Sequence, residues 1–320
     1  MTTLNEARVR WLQEREKYEA FGTIVAARMK DGVRALGLWC ETSSRAKEAH
    51  SLIKKLIRKP NHTYDSLSDK VGARCIIRYR GSLTRVVEVA QNLFECGAVD
   101  SKADSLGVDQ IGYLSVHVDV ALRADDPRHQ EFAGMRAELQ IRTLGQHLWS
   151  EMSHDAVYKN DTVFSQLSDA LTRRVNLMAG IIEVADMEFD RLNSELEERP
   201  EVQVYKDLET HFYKLTAHPP DPALSMDVIS LLLPLYQGAS ISAITTRVDA
   251  YVAEHVSGLQ QIYAIQEEDP TSELIFQPEA LMIAELLAHD EPTALRTLWS
   301  TKFPESELER LAVALGHSFD

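Results

Sequence analysis

Chemistry in this chain is concentrated where polar residues recur at the periods of strands and helices. In residues 136–159, RAELQIRTLGQHLWSEMSHDAVYK, Glu138, Gln140 and Arg142 alternate with Ala137, Leu139 and Ile141. A strand sends successive side chains to opposite faces, so an acid, an amide and a guanidinium share one face while the apolar trio packs on a core. From residue 144 to residue 158 the spacing becomes helical, with Leu148, Met152 and Ala156 as the predicted inward stripe. The same design recurs in residues 112–121, where Tyr113, Ser115, His117 and Asp119 oppose Leu114, Val116, Val118 and Val120. Two such strands predict one sheet whose polar face is the site, with the Tyr113 ring placed to stack on a base.

A third block is cationic. In TSSRAKEAHSLIKKLIRKP, Ser44 predicts a helix N-cap and Pro60 its stop. Lys47, Ser51, Lys54 and Arg58 then line one face of that helix, opposite Leu52, Ile53, Leu56 and Ile57. A row of cations with a hydroxyl among them suits a polyphosphate, because each phosphate oxygen takes a charge-assisted hydrogen bond. Asp69 stands at the mouth of a β-rich run, residues 71–79, a familiar position for a metal-binding carboxylate. Within that run Gly72 permits close backbone approach, and Arg74 points away from the core face of Ala73, Cys75 and Ile77.

The elements that must hold these residues follow from hydrophobic spacing. Residues 4–30 predict a helix carrying Val9, Leu12, Phe21, Ile24 and Val25; residues 36–40 a strand; residues 82–95 a helix; residues 97–111 a polar loop. Beyond residue 161 the pattern is helical. Residues 166–198 form a long amphipathic helix with Leu167, Leu171, Val175, Met178, Ile182, Ala185, Phe189, Leu192 and Leu196 packing on something, and Pro200 ends it. Shorter helices are predicted over residues 226–236, 241–264, 278–289, 292–300 and 305–316, without a fixed-period repeat.

Composition bounds the rest. A 320-residue chain with 44% hydrophobic residues has ample core for two domains, divided here as residues 1–160 and 161–320. Three cysteines without paired spacing predict neither a disulfide framework nor a zinc site. The N-terminal stretch lacks an apolar core and the longest apolar runs are too short for a bilayer, so a cytoplasmic protein without a membrane partner is expected. The net charge of −15 is unevenly spread. Residues 1–160 hold 24 basic against 21 acidic side chains, and residues 161–320 hold 10 against 28. The first half can hold an anion; the second is a poor surface for nucleic acid.

Taken in order, R-x-K-x3-S-x2-K (Arg45, Lys47, Ser51, Lys54), D-x2-G-x-R (Asp69, Gly72, Arg74), G-Y-x-S-x-H (Gly112, Tyr113, Ser115, His117) and E-x-Q-I-R-T (Glu138, Gln140, Ile141, Arg142, Thr143), followed by Trp149, His154, Tyr158 and Lys159, resemble the synthetase domain of the RelA/SpoT alarmone enzymes. The resemblance covers about residues 35–160. It implies an α+β fold, a mixed β-sheet flanked by helices of nucleotidyltransferase type, followed here by an all-α C-terminal region. It also implies transfer of the β,γ-pyrophosphate of ATP to the 3′-hydroxyl of GDP or GTP. By the same resemblance Arg45, Lys47, Ser51, Lys54, Arg58 and Arg74 hold ATP, and Asp69 and Glu138 hold Mg²⁺. Glu138 also takes the proton of the attacking hydroxyl, Tyr113 stacks on the acceptor base, and His117, Gln140 and Arg142 line its pocket.

One departure stands out. The family carries a lysine ahead of its Gly-Tyr pair that grips the 5′-phosphates of the acceptor, whereas this chain has Val108, Asp109, Gln110 and Ile111, with Lys102 the only basic residue between Gly97 and Gly112. A carboxylate close to a diphosphate is repulsive by roughly 1–4 kcal/mol. Leu114 also replaces a long polar residue. Family members that modify the 3′-CCA end of tRNA have no such diphosphate to grip, so that acceptor stays open, as does a nucleotide-sensing module without catalysis. The His-Asp pairs His154–Asp155 and His289–Asp290 lack partners at ligand spacing, so no hydrolase half is expected. For the helical half, oligomerisation, binding of a protein partner and control of the synthetase are the roles open.

Overall fold

The first helix, α1 (Leu4–Arg34), is started by a reciprocal cap: the Glu6 N–H donates to the Thr3 hydroxyl at 3.2 Å, and the Thr3 N–H donates to the Glu6 carboxylate at 2.7 Å. A computed structural model describes residues 3–58, 61–67, 69–101, 115–153, 168–289 and 292–317. It divides into two compact units, residues 1–193 and 194–320. The boundary expected at residue 160 falls among residues 154–167, outside those described.

In the first unit a five-stranded sheet is built from β1 (Cys40–Ala46), β2 (Val71–Ile77), β3 (Phe94–Ser101), β4 (Val116–Leu122) and β5 (Ala137–Thr143), in the order β1-β2-β5-β4-β3. The β2–β5 pair is parallel and the other three are antiparallel, so the sheet is mixed as expected. One face is apolar: Ala73, Cys75, Val118, Val120, Leu139 and Ile141 are buried there under α1 and α3 (Leu83–Leu93). Helix α1 crosses close to the sheet because Gly22 has no side chain; a Cβ there would lie 2.5 Å from Val71 Cγ2. The inward residues of α1 are Trp11, Tyr18, Phe21, Val25, Met29 and Val33, whereas Val9 and Leu12 of the predicted set are exposed. The larger rings of Trp11 and Tyr18 fix the buried stripe and turn those two away.

Four local expectations differ from the structure. The strand expected over residues 36–40 is β1, and the helix expected from Ser44 is α2 (Ala49–Arg58), so Arg45 lies on a strand and Lys47 between the two elements. In β1 only Cys40 and Ala46 are buried, which removed the hydrophobic signal, but pairing from Cys40 opposite Ile77 to Ala46 opposite Val71 satisfies its backbone. Strand β3 extends into the loop expected from Gly97. In α4 (Leu144–Ser153), Leu148 and Met152 face outward and Gln146 is buried; Ala156 lies outside the described residues. There the Thr143 N–H donates to Gln146 Oε1 at 3.0 Å and the Gln146 N–H to the Thr143 hydroxyl at 3.1 Å, which rotates α4 so that Gln146 points in.

Helix α5 (Asp169–Glu197) is fastened to this unit by two carboxylates one turn apart. Asp186 accepts from the Thr143 hydroxyl at 2.7 Å, and Asp190 accepts from the Gly81 N–H at 2.7 Å. Glycine at 145 makes room for the first, since a Cβ there would lie 2.9 Å from Asp186 Oδ1.

The second unit is helical: α6 (Pro200–Phe212), α7 (Pro222–Leu232), α8 (Ile241–Glu268), α9 (Ala280–Ala288), α10 (Pro292–Trp299) and α11 (Glu305–Ala314). Pro200 opens α6 instead of merely ending α5, as its missing N–H costs nothing in a first helical turn. Among the described residues no single helix is long and apolar enough to cross a membrane. Phe212, Tyr263, Leu281 and Trp299 anchor the core of this unit. Beside them Glu279 is 1% exposed, its carboxyl buried next to Ser225.

Burial pushes the Glu279 carboxyl up to about 7. An acid with a raised folded pKa is neutral in the native state while the unfolded chain ionises. Its full stabilising contribution is therefore present below about 4.5 and is lost as pH rises to about 7, on the order of 3 kcal/mol. Urea unfolding of the full chain at pH 5 and pH 8 should show this slope, and Glu279→Gln should flatten it; equal slopes in the two proteins would contradict the assignment.

Candidate functional site

The polar face of the sheet assembles residues from four strands into rungs. Arg45 on β1 stands opposite Gly72 on β2, Gly72 opposite Glu138 on β5, and Glu138 opposite Asp119 on β4. The next rung holds Ser43, Arg74, Gln140 and His117. A side chain at Gly72 would meet nothing nearer than the Glu138 carbonyl at 3.8 Å, so an open lane runs between Arg45 and Glu138.

Glu138 is the hub of the β4–β5 half. Its Oε1 lies 3.3 Å from His117 Nδ1, and its Oε2 accepts from Gln140 Nε2 at 2.7 Å. A carboxylate only accepts, so His117 presents its Nδ1–H there. Arg142 in turn donates from Nη2 to Gln140 Oε1. The hydrogen bond from His117, against the cost of burial, holds the Glu138 carboxyl down at about 2, with Gln140 and the charge of Lys55 adding to it. Glu138 is therefore ionised at any physiological pH.

Asp69 is the second anionic centre. Both Lys47 Nζ and Lys55 Nζ donate to its Oδ2, Lys55 at 2.5 Å, while Oδ1 is buried without a hydrogen-bond partner. Burial raises the Asp69 carboxyl, but the hydrogen bond and charge of Lys47, then of Lys55, outweigh it and hold it below its ordinary value. The backbone around this cluster is pinned. The Lys47 N–H donates to the Lys70 carbonyl at 2.9 Å, and the Lys47 carbonyl accepts from the fully buried Trp11 indole at 3.0 Å. Lys70 itself is buried with its ammonium over the rings of Tyr18 and Tyr64.

Of the cations read from the sequence, Lys47 reaches Asp69 directly, and Arg45 lies exposed on the Glu138 rung. Arg74 donates from Nη1 to Glu151 of α4 at 2.8 Å, Ser51 Oγ lies 3.2 Å from His50 Nε2, and Lys54 and Arg58 are exposed on α2. Lys55 was missed. Once α2 starts at Ala49, Ser51 and Lys55 share a face four residues apart, and Lys54 turns outward beside Ile57, which is itself 61% exposed. Tyr113, Gly112, Leu114, Asp109, His154, Tyr158 and Lys159 lie outside the described residues.

The donor set fits a hard divalent cation. Two carboxylates held below their ordinary values stand on a turn and a strand, Lys55 acts on both, and Asp69 keeps one oxygen without a hydrogen bond. Among the described residues there is no group of three or more His, Cys, Asp or Glu able to hold a metal alone. Magnesium characteristically takes one or two carboxylates and completes its shell with phosphate and water.

Residues 44–163 match the family described as "Region found in RelA / SpoT proteins". The chain is 29% identical over 136 residues to the GTP pyrophosphokinase YwaC of Bacillus subtilis (strain 168), an alignment covering 41% of this chain and 64% of that relative's length. Among solved structures, a GTP pyrophosphokinase family protein from Streptococcus pneumoniae superimposes with a TM-score of 0.49 at 20% identity, covering 59% of this chain and 95% of that one. The small alarmone synthetase 1 of Bacillus subtilis does so with a TM-score of 0.48 at 22% identity, covering 59% and 99%.

Proposed function

We propose that residues 44–163, the region shared with RelA and SpoT proteins, form a pyrophosphokinase that moves the β,γ-pyrophosphate of ATP to the 3′-hydroxyl of GDP or GTP. The observation that carries this reading is Lys55, whose ammonium touches Asp69 and whose charge depresses Glu138. A phosphate chain laid along the cations of this face would exchange the carboxylate partners of Lys47, Lys55 and Arg74 for its own oxygens and meet Arg45 on the Glu138 rung.

In this mechanism Glu138 accepts the proton of the acceptor 3′-hydroxyl, and the oxygen attacks the β-phosphorus of ATP. The bond from that phosphorus to the α,β-bridging oxygen breaks, and AMP leaves with the electron pair. Charge building on the equatorial and leaving oxygens is met by the cationic row. Asp69 and Glu138 would hold Mg²⁺, which neutralises phosphate charge when bound. His117 and Gln140 keep Glu138 ionised and aimed, and Arg142 braces Gln140.

Incubation with γ-labelled ATP and, in turn, GDP, GTP and bulk tRNA tests the proposal. Label should pass to GDP or GTP with one AMP released per transfer; no transfer to any acceptor would overturn it. The tRNA 3′ end is the second reading, favoured by Asp109 where a phosphate-gripping lysine is expected. Under the first reading Asp109→Lys should improve use of GDP or GTP and leave ATP affinity unchanged. Lys55→Met should raise the KM for ATP roughly tenfold, the worth of one charge-assisted hydrogen bond, whereas Lys54→Met should stay within about twofold. The reverse order would return the role to Lys54.

A further inference from the structure

Beneath the turn that carries Asp69 lies a buried lysine with no carboxylate on it. Lys70 is 5% exposed, and its ammonium sits in a cage of rings, 4.5 Å from the Tyr64 centroid and 5.4 Å from that of Tyr18. The Tyr18 hydroxyl, at 3.3 Å, is the one polar atom it reaches among the described residues. Tyr18 in turn packs against the buried Trp11 ring on α1, with centroids 5.3 Å apart.

The carboxylates around the cage are committed elsewhere. Glu14 accepts from the Tyr64 hydroxyl at 2.7 Å and from Arg10 Nε at 2.8 Å, and Asp65 accepts from Arg10 Nη1 at 2.8 Å. An ammonium taken out of water without an ion pair costs stability, and contact with two ring faces offsets only part of that. A methionine of similar length would fill the same space without the cost. Packing therefore does not call for the charge, and its use lies with its neighbours.

Two of those neighbours belong to the phosphate site. Asp69 is the adjacent residue and holds Lys47 and Lys55 on one oxygen, and the Lys70 carbonyl accepts the Lys47 N–H at 2.9 Å. A charge enclosed by rings is screened little by solvent or salt, so its field reaches across this short stretch of backbone. It acts there on a phosphate chain laid along Lys47 and Lys55 without touching it. We propose that Lys70 is a positioning residue of the ATP site, a caged charge fixed beneath the turn that presents Asp69 and Lys47 to phosphate. The inference rests on the reading of this face as an ATP site.

Binding of ATP with Mg²⁺ to the full chain, measured by calorimetry without an acceptor, tests it. Lys70→Met should raise the dissociation constant roughly tenfold, while the rate at saturating ATP stays within about threefold of the wild type. The variant should unfold at the same urea concentration or a higher one, because an uncompensated buried charge is gone. Lys70→Arg, whose guanidinium also stacks on rings, should recover the affinity to within about twofold. Unchanged affinity in Lys70→Met overturns the proposal. So does a loss of affinity that comes with lower stability and is left unrepaired by arginine, since the side chain would then only support packing. If Lys70→Met does not fold, Tyr64→Leu decides: loss of the nearer ring should weaken ATP binding about threefold or more, and wild-type affinity there rejects the cage. A wild-type chain that binds ATP yet transfers no pyrophosphate removes the pyrophosphokinase reading and leaves Lys70 to be judged on binding; one that binds no ATP removes both.

Discussion

Glutamine in place of Glu138 is expected to lower the rate of pyrophosphate transfer by roughly a hundred- to ten-thousand-fold, the usual worth of a positioned general base. The change is nearly isosteric and lies on the polar face of the sheet, so the core beneath β5, Leu139 and Ile141, is untouched. Locally it has a definite consequence. An amide puts an accepting oxygen at only one of the two positions that face His117 and Gln140, so one of the contacts at 3.3 and 2.7 Å must be rearranged. The depressed pKa of Glu138 also bears on pH. Its folded value of about 2 lies below the ordinary 4.5, so the stability it lends is present above 4.5 and lost as pH falls towards 2. A carboxylate ionised throughout that range cannot set an acid limb in the rate profile between pH 5 and 7. Initial rates of Glu138→Gln and Glu138→Asp across pH 5–9 check both points. Near-normal turnover by the glutamine variant would remove Glu138 from the proton transfer.

Most of this face was legible because strands β2, β4 and β5 obey a period of two. Glu138, Gln140 and Arg142 on β5, His117 on β4 and Arg74 on β2 lie where alternation puts them. The cationic block was misread for a physical reason. An edge strand that buries only its two end residues has no apolar alternation to show, so β1 looked like the start of α2 and the helix phase came out wrong by one residue, favouring Lys54 over Lys55. Helix α4 was rotated by a cap that no hydrophobicity pattern encodes, the reciprocal bonds of Thr143 and Gln146. The support of Lys47 by the Trp11 indole spans 36 residues of sequence and left no local trace. In α5 the apolar stripe was plainly readable from its spacing, whereas the carboxylates that fasten the helix, Asp186 and Asp190, reach partners 43 and 109 residues away and left no local trace.

Asp69→Asn should separate two roles that its geometry combines. As counter-charge, Asp69 holds the ammonium groups of Lys47 and Lys55 on a single oxygen. Removing that charge frees both cations for phosphate, so ATP should bind as tightly as before or more so, measured by calorimetry without turnover. As metal ligand, Asp69 offers an oxygen with no hydrogen bond to lose, and an amide oxygen is a weaker ligand for Mg²⁺ than a carboxylate. The turnover rate should accordingly fall on the order of a hundredfold or more, an effect of several kcal/mol on the barrier, and the Mg²⁺ concentration for half-maximal rate should rise. Stability has its own sign. The Asp69 pKa is depressed, so its contribution holds above the ordinary carboxylate value and is lost as pH falls below it. The asparagine variant should therefore be less stable than the wild type at pH 7 and converge with it in acid. If instead ATP binding weakens while the turnover rate and Mg²⁺ dependence stay as in the wild type, Asp69 only positions the lysines, and the cation would need another ligand beside Glu138.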